Sequence, residues 1–235
     1  MRTAPVIPRK VTPFAGVTFL GITGAVLIWD LEHPARFFYI FTRPQWRSWL
    51  VRGGGIIAGY GAILTLHLVA SLIDAGGLSV ALTVAGIPLS LMTAVYTAFL
   101  FAQAKGRDLW QNPLLPPHFA VQSVLAGAAF LALFSPAFSD EAGEALGWTM
   151  AGAAIFHLLM VLGELTLPHG TAHAHLAVHN LTHGHLGRFF WLGVALVALA
   201  VAGPLVGVVA GVVALAGLLA HEHAYVQAAQ SVPLA

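Results

Sequence analysis

Apolar residues fall in long runs along this chain, with the polar residues gathered into short gaps between them. The runs extend from near Val11 to Trp29, Gly53 to Ile73, Leu78 to Gln103, His118 to Phe138 and Ala145 to Leu165. A last stretch, Phe189 to Ala228, is long enough for two helices. Gly203-Pro204 marks the expected break in it, because proline removes a helical donor and clashes with the preceding turn. A helix needs roughly 20 mostly apolar residues to cross a bilayer, so the pattern predicts an all-α, polytopic transmembrane helix bundle of about seven helices. The loops are too short to fold independently, and residues 1–235 are expected to form a single transmembrane domain.

Composition agrees. Only 8% of residues are charged and 58% are hydrophobic, with a mean hydropathy of +0.85, whereas roughly a quarter of a soluble domain is charged. The chain lacks the polar residues to cover a water-facing surface. It has no cysteine, which excludes a disulphide framework, thiolate zinc and an iron–sulphur cluster held by this chain. Any redox metal is then expected in a partner or on histidines. A net charge of +1 with no basic stripe argues against nucleic acid. The start, MRTAPVIPRKVTPFAG, has a basic residue ahead of an apolar run. That run ends in Trp29-Asp30 and not in a small-residue cleavage site, so it reads as a retained span.

The charges sort by loop. Arg36, Arg43, Arg47, Arg52, Lys105, Arg107 and Arg188 follow the first, third and fifth spans, while Arg2, Arg9, Lys10, Asp74, Asp140, Glu141 and Glu144 lie on the other side. The positive-inside rule predicts a cytoplasmic arginine-rich side and an N-terminus outside; docking of an acidic partner explains the same arginines. The first of these loops is WDLEHPARFFYIFTRPQWRSW, Trp29 to Trp49. Its Trp29, Trp46 and Trp49 fit an interfacial aromatic belt. Asp30, at the last turn of a span, is either an ion-pair member or a proton-handling group.

Three segments carry a resemblance: Asp-Leu-Glu-His-Pro-Ala-Arg-Phe after the first span, the stretch from Tyr96-Thr-Ala-Phe-Leu to Trp110-Gln-Asn-Pro, and Tyr225-Val-Gln-Ala-Ala-Gln230 near the end. In that order, over essentially the whole chain, they resemble the NrfD/PsrC family, membrane subunits of polysulphide-reductase-like and alternative-complex-III-like enzymes. The family's usual Gly-Gln near the C-terminus is Ala229-Gln230 here. The resemblance implies a non-autonomous subunit that binds quinone or menaquinone. It would exchange electrons with a ferredoxin-like iron–sulphur subunit serving a molybdopterin or other catalytic chain, in the cytoplasmic (inner) membrane. Members usually have eight or more helices, so it also implies that a first helix, with its quinone contacts, is missing from this sequence. It assigns a quinone-contacting tyrosine to Tyr96.

A quinone site needs an apolar slot, donors for two carbonyl oxygens and titratable groups leading to water. Helical spacing puts Gln103 two turns beyond Tyr96, and Glu164 two turns beyond His157. With Asp30 these groups are expected at one level of the membrane as the quinone-binding set. Read without the resemblance, Tyr96 is a packed bundle residue, His157 an interhelical hydrogen bond and Glu164 a water-facing span end. His67 and Asp74 repeat the two-turn spacing toward the opposite side and, with Glu164, are the candidate proton-transfer residues; a buried hydrogen bond and a loop acid are the plainer reading. Arg36, Arg43, Arg47, Arg107 and Trp110 are the candidate partner-docking residues.

The most conspicuous motif is PHGTAHAHLAVHNLTHGHLG, with His169, His173, His175, His179, His183 and His185. Three of them, His175, His179 and His183, would share a helical face able to bind a metal ion. Without an acid or cysteine ligand, and with Gly184 and Gly187 as breaks, a solvated, proton-collecting loop is the expectation, and no metal site is assigned. His221-Glu222-His223 raises the same question with less force. A haem-b cytochrome using His67 and His157, or an anchor or transporter-like bundle without a redox site, is the alternative to a quinone-linked subunit; no haem is expected on this chain.

Overall fold

The structure is a computed structural model that describes residues 10–234; Arg2 and Arg9 lie outside the described residues. The helices are α1 (Val11–Trp29), α2 (Tyr39–Thr42), α3 (Trp49–Leu72), α4 (Gly76–Phe101), α5 (Leu115–Ala132), α6 (Asp140–Thr166), α7 (Ala172–Thr182), α8 (Gly187–Ala200) and α9 (Gly203–Gln230). Short 3-10 turns lie at Pro34–Phe38, Asp108–Gln111 and Ser135–Ala137. Six helices, α1, α3, α4, α5, α6 and α9, are long and apolar enough to cross a bilayer, and α7 with α8, bent by 69°, makes a broken seventh candidate.

Local chemistry sets the ends of these helices. Ser48, Ser139 and Thr171 cap α3, α6 and α7 by accepting from Leu50, Ala142 and Ala174 N–H, which satisfies donors that a helix start leaves unpaired. Asp140 and Glu141 occupy the first turn of α6, where the positive end of the helix dipole favours them. Pro204 stands in the first turn of α9 and does not interrupt a helix; the chain turns at Val201-Ala202. A Cβ on Gly203 would meet the Gly147 carbonyl of α6 at 2.7 Å, whereas Gly207 (φ 36°) makes a kink in α9. Helix α4 stops at Phe101, so Gln103 sits in the following turn and the helical register that related it to Tyr96 does not extend to it.

The chain divides into two compact units, residues 10–100 and 101–234. In the first, α1 packs along α3, Trp49 stacks on Phe99 at 4.4 Å, and the Tyr96 ring lies directly over Gly53, where a Cβ would fall 2.3 Å from its carbons. Trp29 and Trp46 are exposed at the ends of the connecting loop, as belt residues are. In the second unit α5, α6, α8 and α9 enclose a core of Leu125, Met150, Val197, Leu218 and a set of alanines. Lipid offers apolar side chains no less than a protein core does, so such helices are held by close packing, and small residues allow it. Large apolar side chains, among them Phe156, Leu159, Leu199 and Leu219, point outward.

Candidate functional site

In the second unit, polar side chains from three spans meet inside this alanine-rich packing. His157 and Glu164 share a face of α6, two turns apart, and the first-turn His118 of α5 fits between them. Its Nδ1 is 2.9 Å from Glu164 Oε1 and its Nε2 is 2.9 Å from His157 Nδ1. From α9, His221 sets its ring edge-to-face on His157, centroids 4.8 Å apart, and 5.6 Å from His118. All three histidines are at most 1% exposed, and Glu164 6%. Ionisable groups so deep in a span are costly and are normally paired.

Neighbouring contacts hold the cluster. Tyr225, one turn beyond His221, stacks on it and donates its hydroxyl to the Leu109 carbonyl at 3.2 Å. Gln122, one turn beyond His118, donates to Glu222 and lies 3.4 Å from His118 Nε2. Helix α8 comes close enough to seat His221 because residue 193 is glycine: a Cβ there would be 2.8 Å from His221 N.

The hydrogen bonds define a direction. An ionised Glu164 accepts from His118 Nδ1–H, which leaves His118 Nε2 to accept from His157 Nδ1–H. His157 Nε2 is then a bare acceptor, buried and without a partner. The arrangement is chemically able to relay a proton from that nitrogen to Glu164, by one exchange at each bond. Glu164 also borders a cavity of about 480 Å³, lined by Asp108, Gln111, Asn112, His169 and Thr171 among others, a size suited to a small organic ligand. His169, outside the spans, is held below the usual histidine value by burial, and further by His175, with Glu164 opposing the shift.

The other sequence-predicted residues fall as follows. Tyr96 is buried and Asp30 exposed, both in the first unit. His67 and Asp74 line one cavity of about 570 Å³ there, with Thr83 Oγ1 3.4 Å from His67 Nε2. Arg36, Arg43 and Arg47 are exposed. Arg107 caps the end of α9, its Nη1 donating to the carbonyls of Ala229, Gln230 and Val232, and Trp110 stacks on Phe101. The histidine-rich segment is not a loop throughout: α7 carries His173, His175 and His179, and His183 follows its last turn. Among the described residues, the histidines near enough to share one ion are instead His118, His157 and His221.

Residues 10–232 match the family described as "Polysulphide reductase, NrfD". The chain belongs to the NrfD family. It is an integral, multi-pass membrane protein of that family, with all-helical architecture. A similar protein from Halobacterium salinarum, named as a "Putative dimethyl sulfoxide reductase membrane subunit", is 27% identical over 204 residues, covering 73% of this chain and 47% of the relative. The chain thus spans about half the length of this relative.

His118 and Gln122, four residues apart, have no prominence in the apolar pattern; His221 and Glu222 stand out only as part of a His-Glu-His motif, and Tyr225 only in the C-terminal resemblance. The available signal was the rule that an ionisable residue inside a span is functional or paired by default.

Proposed function

We propose that this chain is the quinone-facing membrane subunit of a respiratory oxidoreductase in the cytoplasmic membrane, exchanging electrons with a docked iron–sulphur subunit and protons through Glu164. The buried Glu164–His118–His157 chain ending at a cavity carries this reading, and family membership supports it. The name of the halobacterial relative supports a partner set containing a catalytic reductase chain. Oxidation of quinol releases two electrons and two protons. The electrons pass to the iron–sulphur partner; Glu164 accepts one proton, and the half-buried His169 at the same cavity is placed to accept the other. In quinone reduction the same steps run backward. Tyr96, Gln103 and Asp30 remain proposed quinone contacts on the family resemblance, and residues 1–235 are taken as one domain because the family match runs through both units. His67 and Asp74, on their shared cavity, are the second proton-transfer candidates. Arg36, Arg43 and Arg47 are the docking cations, and Trp110 is a further docking residue. Arg107 contributes by shaping the end of α9.

The test is quinol-driven reduction of the partner's iron–sulphur signal in the purified complex. Glu164→Gln is expected to lower the rate by about 10²-fold or more, the usual worth of a positioned proton acceptor, with the complex still assembled. Tyr96→Phe and His157→Ala test the remaining contacts. Wild-type rates in all three variants would leave the chain as an anchor. A Soret band in the isolated chain would favour a haem-bearing subunit instead.

A further inference from the structure

One ring nitrogen of this cluster has no role in the proton chain. His221 Nδ1 is buried without a hydrogen-bond partner, on a side chain that is 1% exposed. Its ring, from α9, lies against that of His157 on α6, centroids 4.8 Å apart. One nitrogen from each of His118, His157 and His221 lies within 4.8 Å of the other two. We infer that this cluster binds a divalent first-row transition-metal ion of the zinc type, with one imidazole ligand from each of α5, α6 and α9.

The donor set suits that chemistry. Neutral imidazoles favour zinc, copper and nickel over magnesium or calcium. Tetrahedral zinc at about 2.0–2.1 Å from nitrogen spaces its ligands roughly 3.3 Å apart. The His118 Nε2 to His157 Nδ1 separation of 2.9 Å has to open by only a few tenths of an ångström, and a His221 nitrogen, within 4.8 Å of both, closes in as the third ligand. Glu164 holds His118 Nδ1, which orients that ring with Nε2 toward the other two, as carboxylates do behind metal-bound histidines. Glu164 and Glu222 supply two carboxylates near the ion's charge, Glu222 through its bond to Gln122.

The site stands whether or not the chain meets quinone. The ion takes the place of the proton shared by His118 and His157, so metal and proton compete for the same nitrogens and binding strengthens as pH rises. If the proton route of the previous section holds, a bound ion interrupts it.

The test uses the detergent-purified complex, stripped with chelator and re-equilibrated with zinc, read by elemental analysis and by X-ray absorption at the zinc edge. One zinc per chain with a three-imidazole shell is expected. His221→Gln and His118→Gln lower retained zinc at least about tenfold, and Glu164→Gln weakens affinity about 10–100-fold. The exposed pair His175→Gln/His179→Gln keeps the ion. Substoichiometric zinc, fewer than three imidazoles in the shell, or loss of zinc in the surface variant overturns the site. Should the core variants fail to fold, the wild-type shell measured in the surface-variant background decides alone.

Discussion

Gly193→Ala tests how the site is held, because the cost is set by backbone. The added Cβ would stand 2.8 Å from His221 N, 2.9 Å from Gly217 O and 3.0 Å from His221 Cβ, where ordinary contact begins at 3.4 Å. No flexible side-chain tip can move aside, so α8 and α9 must part by several tenths of an ångström along their contact. Overpacking of this kind costs about 1–3 kcal/mol, and the gain of up to about 1 kcal/mol from replacing a helical glycine by alanine offsets part of it. A loss of about 1–2 kcal/mol lowers the melting temperature of a chain this size by roughly 2–8 °C. Gly127→Ala, in α5 with nothing within 4 Å of the added carbon, gains the propensity without the clash. Thermal unfolding in detergent, followed by size-exclusion recovery, should rank Gly127→Ala at or above wild type and Gly193→Ala below it. Equal stability of the two variants would refute the claim that α8 is seated by contact with the His221 backbone. Displaced His221 should also weaken zinc retention in Gly193→Ala.

Three further outcomes follow from the same geometry. His118→Ala strands Glu164 without its buried partner and should cost about 3–5 kcal/mol, against about 1–3 kcal/mol for Glu164→Gln, which keeps a hydrogen bond; thermal denaturation of the two variants reads the order. Arg107→Met removes a charged donor from three carbonyls at the end of α9 and should cost about 1–2 kcal/mol, seen as faster amide exchange over residues 225–232. Because folding lowers the His169 value, the unfolded chain binds more protons between that lowered value and 6.5. Stability contributed by neutral His169 is therefore full above 6.5 and is lost as pH falls through the lowered folded value; His169→Gln should flatten this part of the stability–pH curve.

Much of the fold was legible because apolar runs of bilayer length have few alternative uses. α1 begins and ends where its run does, and the other spans start or stop a few residues from theirs. The misses have local causes. α6 starts before its apolar run because Asp140 and Glu141 suit a capped first turn, although by hydropathy they look like loop. α4 ends before Gln103, since nothing in an apolar run signals where the chain leaves the helix. α7 forms despite its polarity because Thr171 caps it and Ala174, Ala177 and Leu181 give it a buried face. The site was half visible: His157 and Glu164 share one helix, and their spacing shows it. His118 and His221 lie on other helices, and the sequence holds 12 histidines with half of them crowded into one segment. Which imidazoles turn inward depends on pairing between helices, a fact of tertiary packing that no single run contains.

The bonds from Arg107 to the end of α9, and from Tyr225 to Leu109, join residues 116–125 positions apart, which gives the cavity a birth order. When the 107–109 turn leaves the ribosome, its partners have not been made. At about 5–20 residues per second, roughly 6–25 s pass before they exist. Until then Arg107 has no carbonyls to bind and α9 is not there to complete the histidine cluster. A chain arrested before α9 is made therefore holds only fragments of the site, and the cluster is completed only once α9 has joined α5 and α6.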